Sequence, residues 1–314
     1  MILTVTMNPS VDISYPLDEL EIDSINRVSQ ARKEAGGKGL NVARVIRQAD
    51  EEVLATGLIG GYLGQYITSR LDNINVDNNF YSIAGESRNC IALLHQGLQT
   101  EILEAGPEIS PEEQQQFLAH FTHLIRGCRI VTLSGSLPKG VAKDFYRRLI
   151  QLANVQEKPV LLDCSGECLK SVVNGGDLPL LIKPNQQELE QLTGGVLDPE
   201  SVESFITMVN GHSGLQKIPW IIVSLGKAGA FARINGKYYT ASIPQINAVN
   251  PVGSGDATIA GLAIAIYKQE SPEKALKRAM AFGILNAKEE QTGCINMADF
   301  SGVFNQVNVY PHSY

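Results

Sequence analysis

Asn250-Pro251-Val252-Gly253-Ser254-Gly255-Asp256-Ala257-Thr258-Ile259-Ala260-Gly261, running on into Leu262-Ala263-Ile264-Ala265-Ile266, is the stretch on which the reading of this chain turns. Proline and glycine break whatever precedes them, so residues 252–255 read as a tight turn feeding a helix of small apolar residues. The first N–H groups of a helix have no partner within it. They sit at the positive end of a dipole worth about half an elementary charge. A glycine-rich entry leaves those groups open to an anion. Asp256 falls in the first helical turn, where a carboxylate can reach a hydroxyl that attacks the held anion. An anion hole beside a general base suits phosphoryl transfer to an alcohol. Small residues and acids are also common at plain helix starts, so the stretch alone leaves a simple capped helix open.

Two other segments bear on that choice. In Ala35-Gly36-Gly37-Lys38-Gly39-Leu40-Asn41-Val42-Ala43-Arg44-Val45-Ile46 the apolar positions predict a helix over 37–48. Its glycines allow backbone to approach a ligand closely, and Lys38 and Asn41 project from its entry. In Leu180-Leu181-Ile182-Lys183-Pro184-Asn185-Gln186-Gln187-Glu188-Leu189 a short apolar strand runs into Lys-Pro-Asn. Asn185 and Glu188 have the spacing of a capping box, which by itself explains the pair structurally.

Composition narrows the field. A chain of 314 residues suggests two domains, or one large core with an appendage. A hydrophobic content of 44% is ample for that core, and a net charge of −7 argues against nucleic acid or an anionic membrane as partner. The longest apolar stretch, Ile259 to Tyr267, is too short to span a bilayer, and Asp12 interrupts an N-terminus that lacks a basic region, so no signal peptide is expected. Cysteines 90, 128, 164, 168 and 294 are odd in number and scattered, which suits reduced thiols and a cytoplasmic location. Cys164 and Cys168 have no second pair to complete a zinc site, and His120 and His123 have no third ligand nearby. No Gly-Lys pair is followed by Ser or Thr, no Gly-x-Gly-x-x-Gly follows the opening strand, and Gly211-His212-Ser213 stops short of a nucleophile elbow.

Along the chain, residues 2–7 read as a strand, 53–59 as a second, and 62–71 as a helix. Two blocks lack helical period: one near 13–32, the other with short strands at 80–83, 90–94 and 99–103. From Pro111 the pattern alternates helix and buried strand, with strands at 130–133, 160–163, 180–183 and 221–225. That alternation predicts a parallel sheet covered on both faces, whose ligands bind beyond the carboxyl ends of the strands. Asp12, Ser134, Ser136, Lys183, Asn185 and Ser224 all follow predicted strands at that edge.

Gly36 to Ala43, Asn250 to Gly261 and Lys183 to Glu188 together resemble the signatures of the PfkB family of carbohydrate kinases, within the ribokinase-like superfamily. Thr4 to Asp12 and Val223 to Gly229 also fit, so the resemblance spans essentially the whole chain. Asp12 to Leu17, Thr100 to Ile109 and Ile284 to Gly293 are similar, more narrowly, to the tagatose-6-phosphate kinase branch linked to lactose metabolism. The resemblance implies an α/β fold, a mostly parallel sheet with helices on both faces plus a small antiparallel β lid. Residues 1–10, 34–79 and 105–314 would form the nucleotide-binding catalytic domain, and 11–33 with 80–104 the lid over the sugar.

The same resemblance implies roles for named residues. Asp256 would be the general base, with Gly253, Ser254 and Gly255 as anion hole. Asp12, Arg27, Gly37, Lys38, Asn41, Arg88 and Ser136 would bind a sugar phosphate. Lys183, Asn185, Glu188, Ser224, Gly226, Gly229 and Asn286 would bind ATP, with Glu188 holding Mg2+ indirectly through water. A homodimer through the lid is a further expectation. Potassium-activated relatives carry an aspartate six residues before the catalytic acid; Asn250 stands there in this chain, which implies weak activation by monovalent cations. Within the kinases the alternative is a phosphofructokinase acting on fructose 1-phosphate or fructose 6-phosphate, and a non-catalytic sugar-phosphate-binding module is the alternative from another class. Asp256 separates kinase from module, because such a module needs no carboxylate at its anion hole.

Overall fold

In the computed structural model, which describes residues 1–313, the strands sort into two sheets. Ile2–Thr6 (β1) lies in the large sheet, and Ser10–Leu17 (β2) and Arg32–Gly36 (β3) in the small one. Lys38–Gln48 (α1), Val53–Ile59 (β4), Gly61–Asp72 (α2), Asp77–Asn78 (β5) and Tyr81–Ser82 (β6) return to the large sheet, and Arg88–His95 (β7) and Leu98–Leu103 (β8) complete the small one. The alternating section follows with Pro111–Leu124 (α3), Ile130–Ser134 (β9), Phe145–Val155 (α4), Val160–Asp163 (β10) and Gly166–Val173 (α5). It continues with Leu181–Ile182 (β11), Gln186–Thr193 (α6), Val202–Gly211 (α7) and Trp220–Ser224 (β12). A hairpin of Ala230–Ile234 (β13) and Lys237–Ser242 (β14) precedes Ser254–Tyr267 (α8), Pro272–Ala287 (α9), Phe300–Gln306 (α10) and Asn308–His312 (β15).

The large sheet runs β15-β14-β13-β12-β11-β10-β9-β1-β4-β5, with β6 also on β4. It is parallel from β12 to β5, and antiparallel from β12 to β15. Strands buried on both faces carry the apolar runs expected of such a sheet. One core lies under α1, α2, α8, α9 and α10, around Leu40, Ile67, Leu262, Phe282 and Val303. The other lies under α3 to α7, around Phe117, Phe145, Leu169, Leu189 and Phe205. From β1 the chain passes to β4 on one side and to β9 on the other, so its direction reverses at β1 and β9. The crevice beyond the carboxyl ends at such a switch point is where open α/β sheets hold ligands.

The small sheet runs β3-β2-β7-β8. Its outer pairs are antiparallel, and its central pair, β2 with β7, is parallel because both strands leave the same edge of the large sheet. The strand expected at 80–83 is not part of it: Tyr81–Ser82 pairs in parallel with Leu58–Ile59 of β4. Strands β13 to β15, which extend the large sheet antiparallel, were not among the predicted elements. No helix among the described residues is long and apolar enough to cross a membrane.

Helix entries differ in a way that prepares the site. Ser110, Asn185, Ser201 and Ser271 cap α3, α6, α7 and α9 with their side chains, as short polar N-caps do. By contrast α1 and α8 start from Gly37 and Gly253, at φ 111° and 85°, with no side-chain cap. That backbone is strained for any residue with a Cβ. A Cβ at Gly253 would also lie 2.6 Å from the Thr292 methyl. Helix α8 is buried from Asp256 to Ala265, so its start is rigidly placed against the sheet.

Candidate active site

Asp163, the last residue of β10, stands at the centre of the site. Its carboxylate is buried and pairs with Lys38 Nζ at 3.4 Å and Lys183 Nζ at 3.5 Å. Lys38 is the first residue of α1, and Lys183 follows β11. Burial favours the neutral form of Lys38, but the charges of Asp163, Asp256 and Glu188 outweigh it and hold its pKa above the usual lysine value. A Cβ at Gly255 would come within 3.3 Å of Lys183 Nζ, so glycine lets this ammonium group lie against the start of α8.

Asp256 is buried in the first turn of α8 and accepts a hydrogen bond from Asn41 Nδ2 at 2.8 Å. Burial, reinforced by the charge of Asp163, pushes its pKa up to about 7; Asn41, Lys38 and Lys183 pull the other way. A carboxyl group in that range is matched to taking a proton near neutral pH. Of the turn's N–H groups, that of Ser254 donates to Pro251 O at 3.2 Å, while those of Gly253 and Gly255 have no acceptor among the described residues. Asn250 closes the turn from below, accepting from Val252 N–H and donating to Glu290 O.

Asp12 in β2 lies over Gly36 of β3: a Cβ there would sit 2.0 Å from the Asp12 Cγ. Burial raises its pKa, against a 2.6 Å hydrogen bond from Ser10 and the charges of Arg44 and Arg88. Asn185 and Glu188 form the complete capping box, with both bonds at 2.8 Å, and this engages one carboxylate oxygen of Glu188. Ser224 bridges Asn185 at the end of β12, and Gly226 and Gly229 shape the turn that follows.

The structure therefore brings together Asp256, Asn41, Lys38, Lys183 and the 253–255 turn, with Gly37 at the entry of α1. Other expected residues sit differently. Asn286 is fully buried: its Nδ2 donates to Val252 O at 2.9 Å and its Oδ1 accepts from Gly293 N–H at 2.8 Å. With both amide ends spent on backbone, it braces the 253–255 turn from behind. Arg88 spends its guanidinium on the carbonyls of Asn8 and Glu104. Arg27 and Ser136 are exposed, and neither has a hydrogen bond to these groups.

Sequence reasoning passed over two residues. Asp163 ended a predicted strand at the very edge where ligands bind, and that position was the available signal. Arg44, one turn past Asn41 on α1, donates to Asn41 Oδ1 at 3.2 Å and to Thr292 O at 3.0 Å; its i, i+3 spacing from Asn41 was the available signal. No cluster of three or more acidic, cysteine or histidine ligands occurs among the described residues. A Mg2+ ion held by phosphates and water needs no such cage, and the second carboxylate oxygen of Glu188, which has no bond among the described residues, fits an outer contact to it.

Residues 5–298 match the profile of the pfkB family carbohydrate kinases. A Staphylococcus aureus structure provisionally named a phosphofructokinase is 32% identical over 99% of both chains, with a TM-score of 0.86. The potassium complex of Escherichia coli phosphofructokinase-2 is 25% identical over 97% of this chain and 98% of that one, with a TM-score of 0.89. A Thermotoga maritima structure provisionally named a 1-phosphofructokinase shares the fold at 22% identity, 100% coverage of both chains and a TM-score of 0.84. Fold, uncapped glycine entries and paired lysines converge on one class, an ATP-dependent sugar kinase. The chain belongs to the PfkB family of carbohydrate kinases.

The raised pKa of Asp256 predicts a pH dependence of stability. Between the unfolded value near 3.8 and the folded value near 7, the folded chain holds a proton that the unfolded chain releases, so this group's contribution is complete below pH 4 and is lost as pH rises through 7. Asp256→Asn removes the titration. In denaturant melts the variant is expected to be the more stable protein at pH 8, by on the order of 1–4 kcal/mol, with the advantage shrinking towards pH 4. A difference that does not change with pH would contradict the raised pKa.

Proposed function

We propose that this chain transfers the γ-phosphoryl group of ATP to the C1 hydroxyl of D-tagatose 6-phosphate, giving D-tagatose 1,6-bisphosphate and ADP. The observation that carries the kinase chemistry is the Asn41–Asp256 hydrogen bond at the mouth of α8, beside open N–H groups. The choice of sugar rests on the Asp12 to Leu17, Thr100 to Ile109 and Ile284 to Gly293 stretches.

Asp256 takes the C1 hydroxyl proton as the sugar oxygen attacks the γ-phosphorus in line, and ADP leaves with the bridging oxygen. The N–H groups of Gly253 and Gly255 receive the charge on the transferring group, a kind of contact whose loss costs about 10²–10³ in rate. Ser254 keeps the turn closed through its bond to Pro251 O. Asp12 and Asn41 hold sugar hydroxyls, with Gly37 and Ser136 lining the same side. Lys38 holds the 6-phosphate, joined by Arg27 from the lid loop and by the Arg88 donors that Asn8 and Glu104 leave free. Lys183, Asn185 and Glu188 face the nucleotide phosphates, Ser224, Gly226 and Gly229 run along ATP, and Asn286 holds the turn beside it. Mg2+, bound with ATP, would neutralise charge on the phosphate oxygens, and Glu188 would hold it through water. The small sheet excludes water that would compete with the sugar as nucleophile. Five free cysteines fit the reducing cytoplasm as its location.

A second reading, a phosphofructokinase acting on fructose 1-phosphate or fructose 6-phosphate, is favoured by the name carried by the relative at 32% identity. Tagatose and fructose 6-phosphates differ at one stereocentre, whereas fructose 1-phosphate presents its phosphate at the other end. Following ADP release with each of the three esters decides between them. The expected result is a kcat/KM for tagatose 6-phosphate at least about tenfold above the others. A higher value for either fructose ester would make the protein a phosphofructokinase, and no ADP with any ester would refute the kinase chemistry.

We also propose a homodimer through the small sheet. Strand β8 is exposed along its whole length, and it presents Leu98 and Ile102 on one face and Leu103 on the other. An unpaired apolar edge strand is a template for association. Sedimentation is expected to give a dimer that Leu98→Asp with Ile102→Asp splits; a wild-type monomer at assay concentration would contradict it.

A further inference from the structure

Arg44 has no part in the roles above, yet its guanidinium is one side chain away from Asp256. It donates to acceptors on three elements: Nη2 to Ala35 O of β3 at 2.5 Å, Nη1 to Asn41 Oδ1 of α1 at 3.2 Å, and Nη1 to Thr292 O in the loop after α9 at 3.0 Å. Asn41 then donates through Nδ2 to Asp256 Oδ2 at 2.8 Å. A guanidinium only donates, so the carbonyl end of the Asn41 amide must face Arg44 and its NH2 end must face Asp256. That orientation suits an ionised carboxylate, which only accepts. The flipped amide would suit the protonated acid, which can donate.

We propose that Arg44 is a positioning residue for the base: by fixing the amide of Asn41, it holds Asp256 as a hydrogen-bond acceptor, ready to take the substrate proton. This rests on the reading of Asp256 as general base. The groups facing Asp256 leave room for such control. Burial and then Asp163 of β10 favour its protonated form; the Asn41 bond opposes them ahead of Lys38 of α1 and Lys183 beyond β11. Arg44 itself is lowered by burial and supported by Glu34 of β3, Asp12 of β2 and Cys294 of the loop after α9, with Arg70 of α2 opposing. An arginine so placed remains a cation, so its hold on Asn41 does not titrate.

The bond from Arg44 to Thr292 O also ties the amide to the anion-hole turn. Gly293 N–H donates to Asn286 Oδ1, and Asn286 Nδ2 donates to Val252 O. One guanidinium therefore sets the base and is joined to the turn that opposes it by three hydrogen bonds, through Thr292–Gly293 and Asn286.

The test is the pH profile of kcat/KM for the best sugar phosphate in Arg44→Met, Arg44→Lys and Asp256→Asn. Without Arg44 the Asn41 amide is free to flip, the stabilisation of the carboxylate is lost, and the rising limb should move up by about half to one pH unit. Turnover of Arg44→Met near pH 7 should fall about two- to fivefold and recover above pH 8.5, as expected when a base of shifted pKa is ionised again. Arg44→Lys keeps the charge and one donor and should shift the limb less; it also decides the matter if the Met variant does not fold. A limb left in place in the variants that fold, with activity lowered by the same factor at every pH, would make Arg44 a structural staple and overturn the proposal. Asp256→Asn keeps the two ideas apart. If it retains activity, the base assignment fails; if it is inactive while the Arg44 limb stays in place, only the positioning role fails.

Discussion

A buried carboxylate clamped between two ammonium groups is the interaction on which the rest of this site depends. Lys38 and Lys183 offset the cost of burying the Asp163 carboxylate, since an unpaired buried ion costs several kcal/mol. The pairing draws the entry of α1 and the end of β11 towards one point beyond β10. Both ammonium groups are thereby held beyond the carboxyl end of β10, where phosphates would lie. The same carboxylate works on Asp256, where its negative charge adds to burial in keeping a proton near neutral pH. One residue thus holds both lysines in place and adds to the burial that raises the pKa of the group beside it.

Glycine at the two helix entries makes that electrostatic arrangement usable. A side-chain cap, as on α6 or α9, would occupy the N–H groups that an anion needs. Gly37 and Gly253 take positive φ instead, and leave the entries uncapped. The cost in chain entropy is offset by packing: α8 is surrounded by apolar contacts, and Asn286 with Asn250 bonds the turn from behind. The site is therefore preorganised by its supports and needs little reorganisation when charge develops.

Much of this was legible locally. Glycine turns, the Lys-Pro-Asn step and the acid in a first helical turn are short-range patterns, and their neighbourhood follows from parallel-sheet topology. Strands 53–59 and 160–163 carry the bounds that their apolar runs predict. What was not legible depends on partners distant in sequence. Asp163 is an ordinary strand-terminal acid until Lys38, 125 residues away, is folded against it. Arg44 reads as a polar helix position until Ala35, Asn41 and Thr292 surround it. Asn286 looked like a ligand contact, but folding turns it inward. The β13–β14 hairpin did carry a local mark, Asn235-Gly236 with both residues at positive φ, the signature of a two-residue hairpin turn. Arg27 lies in an irregular loop between β2 and β3, so no periodicity could orient it.

The central claim is that Asp256 moves the proton while its surroundings bind the substrates. The most direct measurement is turnover of Asp256→Asn set beside calorimetric titration of the same protein with sugar phosphate and with ATP. The account predicts binding of both ligands close to wild type and a loss of about 10²–10⁴-fold in kcat, the usual contribution of a general base. A variant that binds both ligands and retains more than about a tenth of wild-type turnover would contradict it.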